Sequence, residues 1–169
     1  PVIFSGASSV IAGRDHSVVL KQDGTLWVTG RNTHGQLGLG SRVPKRTFVH
    51  VSFGAVKAAS AGSYHTMVLR SDGSLWGAGR NSYGQLGDGS KTSKTFFVEV
   101  VSSGAQAVAA GSDHTMLLKT DGSVWATGRN RYGELGDGST TDRDSFGIVV
   151  EATTTIATTT TTITITTTT

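Results

Sequence analysis

Apolar residues along this chain come in short runs punctuated by glycine, and never at helical spacing with capping residues. In Leu26-Trp27-Val28-Thr29 successive side chains must point to opposite sides of an extended backbone. Both sides are apolar or small, so a strand here is covered on both faces. The same pattern predicts a first strand at Val10–Ala12, Ala58–Ala61 and Val108–Ala110, and a second at Ser17–Lys21, Thr66–Arg70 and Thr115–Lys119. A third is predicted at Thr25–Thr29, Ser74–Ala78 and Ser123–Thr127. Asp-Gly between the second and third is expected to supply the positive φ angles of a tight hairpin. A Gly-rich loop follows, from Asn32 to Lys45 in its first occurrence, and then a fourth strand at Phe48–Val51 and its equivalents.

These elements recur in register. His16, His65 and His114 are 49 residues apart, and so are Trp27, Trp76 and Trp125. The same step relates Asp23-Gly24 to Asp72-Gly73 and Asp121-Gly122, and Gly30-Arg31-Asn32 to Gly79-Arg80-Asn81 and Gly128-Arg129-Asn130. Three copies, at about 2–50, 51–99 and 100–148, make a repeat domain over 1–152, with a tail at 153–169. Four short strands in each unit of this length is the arithmetic of a propeller blade. The expected fold class is all-β: three consecutive four-stranded propeller-type blades in an open arc.

The pattern Gly-x-x-His-[Ser/Thr]…Asp-Gly-[Ser/Thr]-[Leu/Val]-Trp…Gly-x-Asn-x-x-Gly-[Gln/Glu]-Leu-Gly runs from Gly13 to Gly38, Gly62 to Gly87 and Gly111 to Gly136. It resembles the regulator-of-chromosome-condensation repeat. That resemblance implies four-stranded blades, usually seven to a ring, in proteins that bind other proteins, some as exchange factors for a small GTPase or as chromatin binders. This chain departs from it in having three repeats, in placing Thr29, Ala78 and Thr127 where a second aromatic is usual, and in repeating Arg31, Arg80 and Arg129 at a variable position. No exchange-factor loop can be carried over residue by residue.

Three blades cannot close a ring, because known rings need about four to eight. Two raw sheet faces are therefore expected, and two such faces on one chain pair head to tail into rings or filaments. Formal charge falls along the repeats, from +4 through +2 to −2, which suits that polarity. The tail is almost wholly threonine and isoleucine, both β-formers. Its alternating Thr162-Ile163-Thr164-Ile165-Thr166 is the candidate assembly strand, added to a neighbour's sheet edge. Its threonines are also candidates for O-linked glycans. The first expectation is thus a non-catalytic structural subunit that assembles with itself, in an extracellular setting on the tail's composition. The alternative is a protein-binding module, a fragment of a longer seven-bladed propeller acting as scaffold or GTPase regulator in the cytoplasm.

Composition narrows the chemistry. The absence of cysteine excludes disulfide scaffolds, thiolate metal sites and cysteine nucleophiles. A net charge of +3 is too small to mark a nucleic-acid binder, and no apolar run nears the ~18 residues of a membrane helix. The three histidines are read as buried residues bonded to backbone at the start of a strand, not as a metal set. The three tryptophans are read as core. The three arginines are expected between blades, against tryptophan or against aspartates and carbonyls of the next blade; a row of anion sites is the functional alternative. His34, Tyr83 and Tyr132 in the Gly-rich loops are candidate surface contacts. Gly84–Lys91 has Ser90 where a phosphate loop needs lysine. Asp137, Asp142 and Asp144 fit no calcium-loop spacing and read as a solvated turn. No constellation of acid, base and nucleophile appears, so no enzyme and no cofactor are expected.

Overall fold

A computed structural model of the chain describes residues 5–151. The described residues are all-β. Twelve strands form three four-stranded antiparallel sheets. The first holds β1 (Ala7–Ala12), β2 (His16–Lys21), β3 (Leu26–Gly30) and β4 (Lys45–Val51). The second holds β5 (Val56–Ala61), β6 (His65–Arg70), β7 (Leu75–Gly79) and β8 (Lys94–Val101). The third holds β9 (Ala105–Ala110), β10 (His114–Lys119), β11 (Val124–Gly128) and β12 (Arg143–Val150). Each sheet is ordered as the chain runs, so each is one blade, and the three make an open arc. The assembly-strand residues Thr162 to Thr166 lie outside the described residues.

The hairpin between the second and third strands differs from expectation. Among the described residues, none other than glycine has a positive φ. Asp23 keeps an ordinary backbone, and only Gly24 is left-handed, at φ 78°. The Gly24 amide donates to the Lys21 carbonyl at 3.0 Å, which is a type I turn closed by one left-handed glycine. Asp23 acts through its side chain instead, accepting from the Thr25 amide at 3.0 Å and the Thr25 hydroxyl at 2.6 Å. Asp72–Ser74 and Asp121–Ser123 repeat this.

Two clusters of buried side chains fill the spaces between blades. Between blades one and two, Val18, Leu20, Leu26 and Val28 meet Val56, Val68, Ala78 and Phe97. Between blades two and three, Met67, Leu69, Leu75 and Leu86 meet Ala105 and Leu117. Because β6 sends Val68 one way and Met67 and Leu69 the other, blade two is covered on both faces, as its two-sided apolar pattern requires.

The Gly-rich loop locks one blade onto the next. Buried Asn32 braces it from within, donating to the Ser41 carbonyl and accepting from the Leu37 amide. Leu37, wholly buried, plugs the core beneath. Gly38 lies so close to the Phe97 ring of the next blade that a Cβ would collide with it, and Gly87 meets Phe146 in the same way. Beyond it, the Gly40 amide donates to Thr95 and the Gly89 amide to Asp144, at 2.8 and 2.9 Å. These short bridges, Leu39 to Phe96 and Asp88 to Ser145, tie the first two loops to the outer strand of the following sheet.

Candidate functional site

The three repeated side chains divide between two places. The histidines open the second strand of each blade, where His16 and His65 link to the next blade and do not simply anchor their own turn. His16 Nε2 is 2.9 Å from the Thr66 hydroxyl in the next blade, and His65 Nε2 is 3.1 Å from the Thr115 hydroxyl. Each threonine donates its own proton to a carbonyl of the preceding blade, Gln36 or Gln85, at 2.7 Å. Its oxygen must then accept from the imidazole, which places the histidine proton on Nε2. The backbone contact runs the other way, with the Gly13 amide donating to the His16 carbonyl. Nδ1 of both His16 and His65 is buried without a partner, so a second proton has nowhere to be received. Burial lowers the pKa of His16 to about 4 and that of His65 to about 3. His114 is only half-buried.

The tryptophans lie at the border of the core, where Trp76 and Trp125 pack against the two buried clusters. All three are half-buried at sheet faces, with Nε1 donating to Thr25, Ser74 or Ser123. Trp76 packs edge-on against Phe53, with centroids 5.2 Å apart. The hydroxyl that bonds each indole is the one that bonds the turn aspartate, so turn and tryptophan are held as a unit.

The arginines converge with residues the sequence did not single out. At one end of the blades, the loop preceding each histidine strand carries Asp15, Tyr64 or Asp113. Arg31 Nη1 lies 3.1 Å from Asp15 of its own blade. Arg80 reaches Asp113 of the next blade at 3.4 Å, and Arg129 approaches the same carboxylate at 3.9 Å. Only Arg80 thus meets an aspartate of the next blade, as expected; Arg31 and Arg129 turn to aspartates of their own blades. The aromatic partner is tyrosine in place of tryptophan, because the indoles lie at the sheet faces. Arg14, Arg31 and Arg80 lie 5.4 to 5.8 Å from the Tyr64 ring centre. Arg80 and Arg129 flank Tyr83, and Arg129 and Arg131 flank Tyr132. Such contacts contribute roughly 0.5–1 kcal/mol each at exposed sites. His34 joins the array 5.1 Å from Tyr64. Burial, and then the charges of Arg80, Arg31 and Arg42, lower its pKa. A cleft of about 650 Å³ opens between the second and third Gly-rich loops, lined by Tyr83, Lys91, Arg129, Arg131, Thr140, Thr141 and Asp142.

Of the surface candidates, Tyr132 is open to solvent and Tyr83 and His34 are half-buried within the array. Asp137 and Asp142 are turned inward onto Asn130, and among the described residues no three His, Asp or Glu side chains are grouped as a metal set. No described helix is long and apolar enough to cross a membrane.

The profile of the regulator of chromosome condensation (RCC1) repeat matches residues 8–36, 56–85 and 105–134, and a second RCC1 profile matches 23–69 and 72–118. This chain belongs to the RCC1 repeat family. Among solved structures it is similar to human WBSCR16, at 23% identity and a TM-score of 0.77 over 86% of this chain. It is also similar to Prp20p of Saccharomyces cerevisiae, described with its binding to Gsp1p and histones, at 21% identity and a TM-score of 0.74 over 86% of this chain. A further match is to yeast RCC1 (Prp20) in a complex with Kap60, at 21% identity, a TM-score of 0.73 and 86% coverage. At these identities the likeness is one of fold. The chain spans 37–38% of the length of these solved chains. No curated protein matches.

Proposed function

We propose that the chain is a non-catalytic protein-binding segment of an RCC1-type propeller, with further blades on the open face of blade three. One observation carries this reading. Gly38 and Gly87 are each pressed against a phenylalanine of the following blade, whereas Gly136, in the same left-handed conformation, meets nothing within 4 Å. Gly24 and Gly73 likewise meet the following blade and Gly122 meets nothing. The third copy thus carries the residues of a junction that the described residues leave unmade. Prp20p, described by its binding to Gsp1p and histones, is the reason to look for a protein partner, and a scaffold or GTPase-regulating role is the finer form of this reading. Electron microscopy of the native full-length protein tests it. Class averages showing a closed ring of more than three blades are expected; isolated three-bladed arcs would overturn it.

The second reading is head-to-tail self-assembly, and blade one favours it. Val10 is 77% exposed, while its equivalents Ala59 and Val108 pack against a neighbouring blade. The outer face of blade one and that of blade three are therefore the two sides of one repeated junction, at the basic and acidic ends of the chain. A second copy could join them. An extracellular setting and glycans on the tail threonines belong to this reading. Filaments that disappear on removal of residues 153–169 would support it over the first.

A further inference from the structure

We propose that the arginine–tyrosine array at the end of the blades is a docking surface for an acidic, carboxylate-rich segment of a partner protein. This rests on the protein-binding reading above and names the class of partner. The array already holds carboxylates. Asp15 sits against Arg31, and Asp113 lies between Arg80 and Arg129, so carboxylates are groups this array takes as partners. The phenol rings act as braces. Each of Tyr64, Tyr83 and Tyr132 has at least two guanidiniums over it, which fixes long side chains that would otherwise lose rotamer entropy on binding.

The cleft between the second and third Gly-rich loops is where the array has charge to spare. Lys91 and Arg131 are exposed there, and neither forms an ion pair among the described residues. Asp142, the one carboxylate of the cleft, is engaged with the Asn130 amide at 2.8 Å. The preceding junction repeats the theme, with Arg31 and Arg80 each 5.8 Å from the Tyr64 ring centre and His34 5.1 Å from it. Two cationic stations, one per junction, suit an extended ligand better than a single small anion. Nucleic acid fits less well, because two of the three rings that a base would stack on, Tyr64 and Tyr83, are already flanked by arginine.

The test is binding of a fluorescent dodecapeptide of alternating glutamate and glycine to the full-length protein, with the glutamine–glycine peptide and an oligothymidylate of equal charge as controls. The glutamate peptide is expected to bind and to weaken as salt rises, and the glutamine peptide is not. The exposed pair Lys91→Ala/Arg131→Ala should weaken binding about tenfold or more without changing thermal stability, and Arg131→Lys should recover part of it. Equal binding of both peptides, or no effect of the double variant, overturns the proposal. Tighter binding of the oligothymidylate overturns it in favour of nucleic acid. Blade counting by microscopy is scored separately. A closed ring that ignores the glutamate peptide sinks only this proposal, and a filament that binds it sinks only the module.

Discussion

Blades two and three carry nearly the same residues and stand in different surroundings. Met67, Leu69 and Leu75 on the far face of blade two are completely buried, because blade three lies on them. Met116, Leu118 and Val124 hold the same positions in blade three and are half-exposed, lining a shallow apolar cleft. The difference is not in local sequence, since all six are apolar and in matching strands. It lies in whether a neighbour is present. Blade stability in this fold is therefore shared, as in other repeat architectures where each unit buries its face on the next.

The largest consequence is for core truncation. Leu69→Ala should cost about 2–5 kcal/mol, the usual range for a buried leucine. Leu118→Ala should cost less than half of that in the 169-residue chain, and the gap should narrow in the full-length protein if a further blade covers it. Urea unfolding of both pairs measures this.

Glycine variants sharpen the same contrast. Gly87 and Gly136 share a left-handed φ, 77° and 71°, so alanine carries the same backbone penalty of about 1–2 kcal/mol at both. Only at Gly87 does the new methyl also strike the Phe146 ring, which adds about 1–3 kcal/mol of overpacking. The difference between the two melting curves isolates the junction from the turn.

Acid is the next probe. In the folded chain His16 and His65 titrate near 4 and 3, against 6.5 when unfolded. Between those values the unfolded state holds more protons, so stability is full above pH 6.5 and declines as pH falls toward 4 and then 3. Each histidine contributes a slope on the order of 1.4 kcal/mol per pH unit. His65→Gln should flatten the decline, as read by melting temperature against pH. The smallest effect is expected at Tyr132→Ala, which removes a largely exposed ring and its two guanidinium contacts and should shift stability by about 1 kcal/mol.

Much of this was legible before any coordinates. The 49-residue step, the two-sided apolar strands and the Asp-Gly turns locate all twelve strands, because each depends on residues near in sequence. What was missed depends on the neighbouring sheet. His16 bonds Thr66, fifty residues away, and no pattern within one repeat shows that its ring crosses the junction while only its carbonyl stays with its own turn. The tryptophans read as core, and Trp76 and Trp125 do pack against it, but no pattern showed that each indole nitrogen bonds the turn hydroxyl two residues before it. The arginine array was half visible. The Arg31, Arg80, Arg129 series stood out, whereas its partners fall at one loop position that reads Asp15, Tyr64, Asp113 and so breaks the repeat. The turn aspartates looked like carriers of a positive φ because Asp-Gly pairs often are, and here a side-chain bond replaces that role.

The two methionines of the chain occupy equivalent positions on the two faces compared here, Met67 buried and Met116 half-exposed. Peroxide oxidation of the native full-length protein, read by mass spectrometry at each site, therefore asks whether the face of blade three is an interface. Both methionines should be protected in the native protein, and Met116 alone should oxidise readily in the 169-residue chain. Rapid oxidation of Met116 in the native protein, with Met67 still protected, would contradict the claim that the arc is completed by a neighbour on that face.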